Sequence, residues 1–213
     1  MTMISAIITS EGIAAIADGR SVDSKTFKYS SDSEVKIVEM SPLCALMMCG
    51  YMKDHFTEDL ESLASIFRQR GVMNVSRITE MLSNMFKDSA ANTEAELLHN
   101  PDWPIIFILA GYDFDYRSKS YIPYVFYIKK PDWEMLIPKP NPLFGQAGDG
   151  FQETKEFLEK RYRERMSLPK ANKLALKAMK KAIQAHPDTI GGDVRLWNIV
   201  PGKPILKFPV TRI

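Results

Sequence analysis

The hydrophobic period of this chain switches back and forth between that of strands and that of helices, and the order of the switches limits what it can fold into. Met3–Thr9 (Met-Ile-Ser-Ala-Ile-Ile-Thr) is β-branched and apolar, stops at Ser10-Glu11-Gly12, and resumes at Ile13–Ala17, which predicts a β-hairpin. Ser21–Glu34 is polar and reads as a loop or weak strands. Val35–Met40 alternates like a short strand, and Leu43–Cys49 is a continuous apolar strand stopped by Gly50. From Asp54 the period lengthens. Phe56, Leu60, Leu63, Ala64 and Phe67 mark one face of an amphipathic helix ending near Arg70-Gly71. A second helix follows, capped by Asn74 or Ser76, with Ile78, Met81, Leu82, Met85 and Phe86 as its apolar stripe.

Ala90–Pro104 is polar, carries two prolines and reads as a connection. Ile105–Tyr112 and Tyr121–Lys129 are aromatic strand patterns, and Glu134–Ile137 is a short strand. Pro138–Pro142 and Gly145–Gly150 form a Pro/Gly-rich passage. Phe151–Arg165 returns to the helical period, with Phe151, Phe157, Leu158 and Tyr162 inward. Ser167 caps the next helix, where Pro169 occupies the first turn at little cost because an N–H there has no helical partner. Its stripe is Ala171, Leu174, Ala175, Ala178, Met179, Ala182 and Ile183. After Gly191-Gly192, Val194–Val200 and Ile205–Phe208 give closing strands around Pro201-Gly202.

Strands, a helix pair, strands, a helix pair and strands cannot make a doubly wound sheet, which alternates strand and helix. The arrangement that buries every stripe is α+β: two packed antiparallel sheets with a helix pair on each outer face, an αββα sandwich of four layers. The 213 residues suffice for one domain covering 1–213.

Composition narrows the function classes. The chain is 45% hydrophobic and 25% charged, with a net charge of +2, so nothing favours a nucleic-acid partner. Lys and Arg in Lys155–Lys181 interleave with apolar residues at helical spacing, as on a solvated helix face. No stretch approaches the about 20 apolar residues that span a bilayer, and Ser10-Glu11-Gly12 interrupts the N-terminal apolar run before signal length. A cytoplasmic protein without membrane contact is expected. Cys44 and Cys49 fall on opposite faces of their strand, which suits core packing better than a disulfide or a metal site. His55, His99 and His186 are scattered and no Gly-rich phosphate loop follows a strand, so no cofactor or metal is expected.

The chemistry-bearing feature is Met1-Thr2 ahead of the hairpin. Removal of Met1 would leave Thr2 with a hydroxyl nucleophile and a free α-amine as its base. Alone the dipeptide says little, but other residues accompany it in order. Ala17-Asp18-Gly19-Arg20 ends the hairpin, and Lys36 opens Lys36-Ile37-Val38-Glu39-Met40. Met48-Cys49-Gly50 precedes the first helix, Leu82-Ser83-Asn84-Met85 lies in the second, and Leu158-Glu159-Lys160-Arg161-Tyr162 in the third. A Lys/Ala-rich fourth helix and Gly191-Gly192 complete the series. Together they resemble a proteasome β-type subunit nearly end to end, the loop before Lys36 being slightly longer than usual.

The resemblance implies an N-terminal-nucleophile (Ntn) hydrolase fold and a threonine-type endopeptidase of a self-compartmentalising ring protease. Thr2 would attack, Lys36 would aid loss of the hydroxyl proton, and Asp18 would orient Lys36. The N–H of Gly50 would face the oxyanion, and Arg20, Asp149 and Asp188 would support. Met48 and Met52, flanking Gly50, would line an apolar pocket for the residue before the cut bond. Its partners would be a peptide or unfolded-protein substrate, further copies in a ring, and an ATP-dependent unfoldase or α-type subunit. Two departures stand out: Asp149 occupies a place where the family has Ser, and Ile190 replaces a Ser before Gly191-Gly192, with the spacing from Asp188 one residue shorter. They motivate a second expectation, a catalytically silent ring subunit. A third is an amidohydrolase of small amides.

Overall fold

A computed structural model of the chain describes residues 2–22, 29–50, 56–92, 104–137, 144–163 and 165–213. These residues form a mixed α+β structure whose paired strands are all antiparallel. The N-terminal hairpin is β1 (Met3–Ile8) and β2 (Ile13–Ala17), in the register Ile4 with Ala17 and Ile8 with Ile13. Thr9 closes its turn, donating its hydroxyl to the Gly12 carbonyl while accepting the Glu11 and Gly12 N–H groups. The polar stretch that follows holds two weak strands, β3 (Ser21–Val22) and β4 (Tyr29–Ser31).

β5 (Ile37–Ser41) and β6 (Cys44–Gly50) form a second hairpin, and helices α1 (Phe56–Gln69) and α2 (Val75–Asn92) follow. β7 (Ile105–Asp115), β8 (Ser120–Lys129) and β9 (Glu134–Leu136) extend this sheet to the order β5-β6-β7-β8-β9. β10 (Phe144–Gly148) returns to pair with β1. Helices α3 (Phe151–Arg161) and α4 (Leu168–Ala185) lead to β11 (Asp193–Ile199), β12 (Leu206–Lys207) and β13 (Thr211–Arg212). The first sheet thus runs β10-β1-β2-β11-β12, with β13 also on β11.

Three apolar clusters follow from strand alternation. Ile4, Ala6 and Ile8 of β1 meet Met47 and Cys49 of β6 and Ile108 and Ala110 of β7, so one cluster is shared by the two sheets. Met3 and Ile7 point the other way, onto Leu158 of α3 and Ala171, Leu174, Ala175, Ala178, Met179 and Ala182 of α4. On the second sheet, Val38, Leu46, Met48, Phe107 and Phe126 pack against Leu60, Ala64 and Phe67 of α1 and Ile78 and Leu82 of α2. The alanines of α4 let that helix approach its sheet closely.

Several expectations change. Of the α2 stripe, Ile78 and Leu82 are buried and Met81 and Phe86 pack against the second sheet, but Met85 is exposed, and Val75, Thr79 and Ser83 are buried besides. Ser83 donates to the Trp133 carbonyl, so a polar residue on that face is satisfied. Phe151 is exposed at the start of α3, where it lies beside Lys155. Part of the Pro/Gly-rich passage is a strand, β10, because pairing with β1 supplies what its propensity lacks. The described part of the third helix ends at Arg161, with the Tyr162 hydroxyl donating to the Ile8 carbonyl. Pro138–Pro142, most of Ala90–Pro104 and the expected helix start at Asp54 lie outside the described residues.

An aromatic stack, Phe86 on Phe107 at 4.8 Å between centroids with Phe56 and Trp133 beside it, joins α2 to the second sheet. Phe107→Ala removes its centre. We expect a loss of about 3–5 kcal/mol in urea unfolding followed by far-UV circular dichroism.

Candidate functional site

Hairpin register makes the first contact of the site. With Ile4 opposite Ala17, Thr2 at the entry to β1 comes level with the segment leaving β2, where Asp18 is fully buried. Asp18 is held from its backbone neighbours: Oδ1 accepts the Met3 N–H at 2.8 Å, and Oδ2 accepts those of Arg20 at 3.2 Å and Gly191 at 3.1 Å. A carboxylate that accepts three N–H groups is fixed in place and partly repaid for losing water.

Lys36 arrives from the other sheet, immediately before β5. Its approach is pinned: Arg195 donates to the carbonyls of Glu34 and Ser33 at 2.8 and 3.0 Å, and the Glu34 N–H donates to Gly19. The Lys36 ammonium lies 3.5 Å from Asp18 Oδ1 and donates to the Thr2 hydroxyl and to the Arg20 carbonyl. Thr2 and Lys36 are 1% and 9% exposed, so the three side chains meet out of water.

Dehydration moves both members of the charged pair toward neutrality. Burial pushes the Asp18 carboxyl above its ordinary value, against the pull of Lys36 and the N–H groups of Met3, Gly191 and Arg20. Burial pushes the Lys36 ammonium below its usual value, against Asp18. The consequence for Thr2 is a lysine that releases a proton more readily than one in water and that sits on its hydroxyl oxygen.

Arg20 belongs to the frame around this cluster. Its guanidinium grips the Asp32 carboxylate through two contacts, 2.8 and 3.2 Å, and donates to the Pro187 carbonyl. That bidentate contact holds the Asp32 carboxyl below the usual carboxylate range. Arg20 therefore ties the end of β2 both to the segment ahead of Lys36 and to the turn after α4.

Thr2 lines a cavity of about 210 Å³ together with Cys49, Gly50, Pro104, Ile106, Gly148 and Asp149. Two of its lining residues are glycines that let neighbouring backbones approach closely. At Gly148 (φ +115°) a Cβ would lie 1.6 Å from the Thr2 carbonyl oxygen, and at Gly50 (φ +106°) 1.8 Å from that of Pro104. The Asp149 N–H donates to the Thr2 carbonyl at 3.1 Å, so the end of β10 clamps the Thr2 backbone. Burial pushes the Cys49 thiol up to about 12, leaving it a neutral wall residue.

Of the residues singled out from sequence, Lys36 contacts both Thr2 and Asp18, and Gly50 and Asp149 share the cavity with Thr2. Two are placed elsewhere. Asp188 is exposed in the turn after α4 and makes no hydrogen bond or ion pair with the cluster; Ile190 beside it is buried under α4. Met48 faces α1 and α2, because strand alternation turns its neighbour Cys49, not Met48, toward Thr2. Met52 lies outside the described residues.

Sequence reasoning missed Cys49, Pro104, Ile106 and Gly148 as cavity residues and Asp32 as the partner of Arg20. Alternation along β6 could have pointed to Cys49; nothing local marks Asp32. No group of three or more His, Cys, Asp or Glu among the described residues is placed to hold a metal ion, and none of the helices they form is long and apolar enough to cross a membrane. In comparison with known proteins, no protein-family model and no curated sequence matches this chain.

Lys36→Met keeps much of the side-chain volume but leaves Asp18 buried without its cation. We expect about 3–5 kcal/mol of destabilisation in urea unfolding at neutral pH. The loss should shrink as the pH is lowered and the carboxyl is protonated, since an uncharged Asp18 no longer needs the lysine.

Proposed function

We propose that this protein is a threonine-type N-terminal nucleophile hydrolase, an endopeptidase subunit of a self-compartmentalising ring protease. The observation that carries the reading is the Lys36 ammonium donating to the Thr2 hydroxyl while paired with the buried Asp18, at the wall of a cavity that also holds Gly50. Three apolar clusters, one shared by the two sheets and one between each sheet and a helix pair, support a single four-layer αββα domain.

In this reading, loss of Met1 frees the Thr2 α-amine, whose ordinary pKa of about 7.7–8.0 suits a base at neutral pH. The amine takes the hydroxyl proton as Oγ1 attacks the scissile carbonyl. Lys36 lowers the cost of negative charge on that oxygen, and its pairing with Asp18 keeps it aimed. The oxyanion faces Gly50. The α-ammonium passes that proton to the leaving nitrogen as the intermediate collapses, which expels the amine product and leaves an ester on Thr2 that water then hydrolyses. Peptides or unfolded segments are the substrates, further copies of the chain close the ring, an ATP-dependent unfoldase or an α-type subunit is the regulatory partner, and the cytoplasm is the compartment.

With Met48 turned toward the helices, the apolar wall of the pocket among the described residues is Cys49, Pro104 and Ile106. A cavity of about 210 Å³ with that lining favours an apolar side chain before the cut bond. A fluorogenic peptide panel should favour Leu, Phe or Tyr there; preference for Arg or Asp would overturn the assignment.

A catalytically silent ring subunit is the second reading, favoured by the exposed Asp188 and the buried Ile190. Mass spectrometry separates the two. The purified protein should lack Met1 and gain one equivalent of a peptide epoxyketone, whose ring adduct consumes both the hydroxyl and the α-amine. Thr2→Ala should abolish the adduct. A retained Met1, or a free Thr2 that never reacts, would favour the silent subunit.

A further inference from the structure

We infer that the outer face of α4 is a docking surface for an acidic helix of a partner protein. The inference is independent of the reading of the Thr2 site. Ten Lys and Arg against four Glu give 151–185 a net charge of +6, against +2 for the whole chain, so the positive charge is gathered on one helix pair. α4 itself carries Lys170, Lys173, Lys177, Lys180 and Lys181 and no acidic residue, and all five lysines are exposed. At about 100° per residue they fall within roughly 100° of the helix circumference, and at about 1.5 Å per residue they extend for about 16 Å along it.

The row does nothing for the helix that carries it. Lysines three and four residues apart repel one another, and Lys170 sits in the first turn, where the helix dipole favours acids. Among the described residues, none of the five has a carboxylate within ion-pair distance. Near the end of the row, Lys181 and Arg161 of α3 both lie over the Phe157 ring, 5.5 and 4.4 Å from its centroid, so a further cation joins the row. Two of the α3 acids are engaged elsewhere, Glu156 with Lys160 and Glu153 with His186. Cations kept against the stability of their own helix mark a surface that meets anions.

The chemistry of the row selects among anions. α4 has no aromatic residue on which bases could stack and no arginine fork for phosphate. The N–H of Leu168, its first residue, is taken by the Glu11 carboxylate at 2.9 Å, which repels a phosphate at that end. None of the exposed large apolar side chains lies on α4, so nothing on this face inserts into a lipid surface. Single ammonium groups recurring with the helical period fit single carboxylates recurring likewise. A glutamate-striped helix lying along α4 presents them at the same intervals.

The test is fluorescence anisotropy at low salt with the full-length protein and a labelled alanine-based peptide whose glutamates form one helical stripe. The striped peptide should bind at least about tenfold more tightly than an isomer with the same glutamates spread around the helix. Lys173→Glu combined with Lys177→Glu should weaken binding by about tenfold or more, and Lys173→Arg combined with Lys177→Arg should retain it. Lys173→Gln combined with Lys177→Gln should weaken binding yet raise the thermal midpoint, because it relieves the repulsion; a lowered midpoint would mean that the row serves stability and would overturn the inference. Equal affinity for the two isomers would overturn it too. So would tighter binding of a single-stranded oligonucleotide of the same charge or of phosphatidylglycerol vesicles, or self-association of the protein that the charge reversal abolishes.

Discussion

The pairing of Lys36 with Asp18 makes the heaviest demand on the rest of the structure. Two opposite charges taken out of water are stable together only when their remaining hydrogen-bonding capacity is met. Asp18 meets it with N–H groups from Met3, Arg20 and Gly191, and Lys36 with the Thr2 hydroxyl and the Arg20 carbonyl. Those partners come from the entry to β1, the exit of β2 and the segment before β11. The pair can exist only if the hairpin, its neighbouring strand and the second sheet are all in register.

That dependence explains the surrounding frame. Arg20 clasps Asp32 and the Pro187 carbonyl, and Arg195 holds the carbonyls ahead of Lys36, so the lysine reaches its place on a braced stretch of chain. On the opposite side, Gly148 and Asp149 press against the Thr2 backbone. Thr2 is thereby held from both flanks with its side chain on Lys36 and a cavity in front of it. Preorganisation of this kind suits chemistry in which the groups must not rearrange as charge develops.

How far this could be foreseen varies by element. The stripe of α4 and the hairpin of β1 and β2 follow from local periodicity, because each buries one continuous face that its own residues define. β10 escaped notice because its Phe-Gly-Gln-Ala-Gly stretch has little strand propensity and is a strand only through pairing with β1. Spacing alone puts Met85 and Phe151 inward, whereas both are exposed and Thr79 and Ser83 occupy buried positions with satisfied hydroxyls. The resemblance implies a cavity role for Met48 beside Gly50, but strand alternation sends it to the helices.

The sequence by itself determined the α+β character, the order of the elements and the residue types able to do chemistry: a threonine ahead of a hairpin, an aspartate at its end and a lysine entering the next strand. Period and turn chemistry are local, so they survive without a three-dimensional context. Only the tertiary structure decided that the lysine reaches both the threonine and the aspartate, that Asp149 rather than Asp188 stands beside Thr2, and that Cys49 rather than Met48 walls the cavity. Each of those outcomes depends on strand register and on which face of a strand meets which sheet, and a shift of one residue would reverse them.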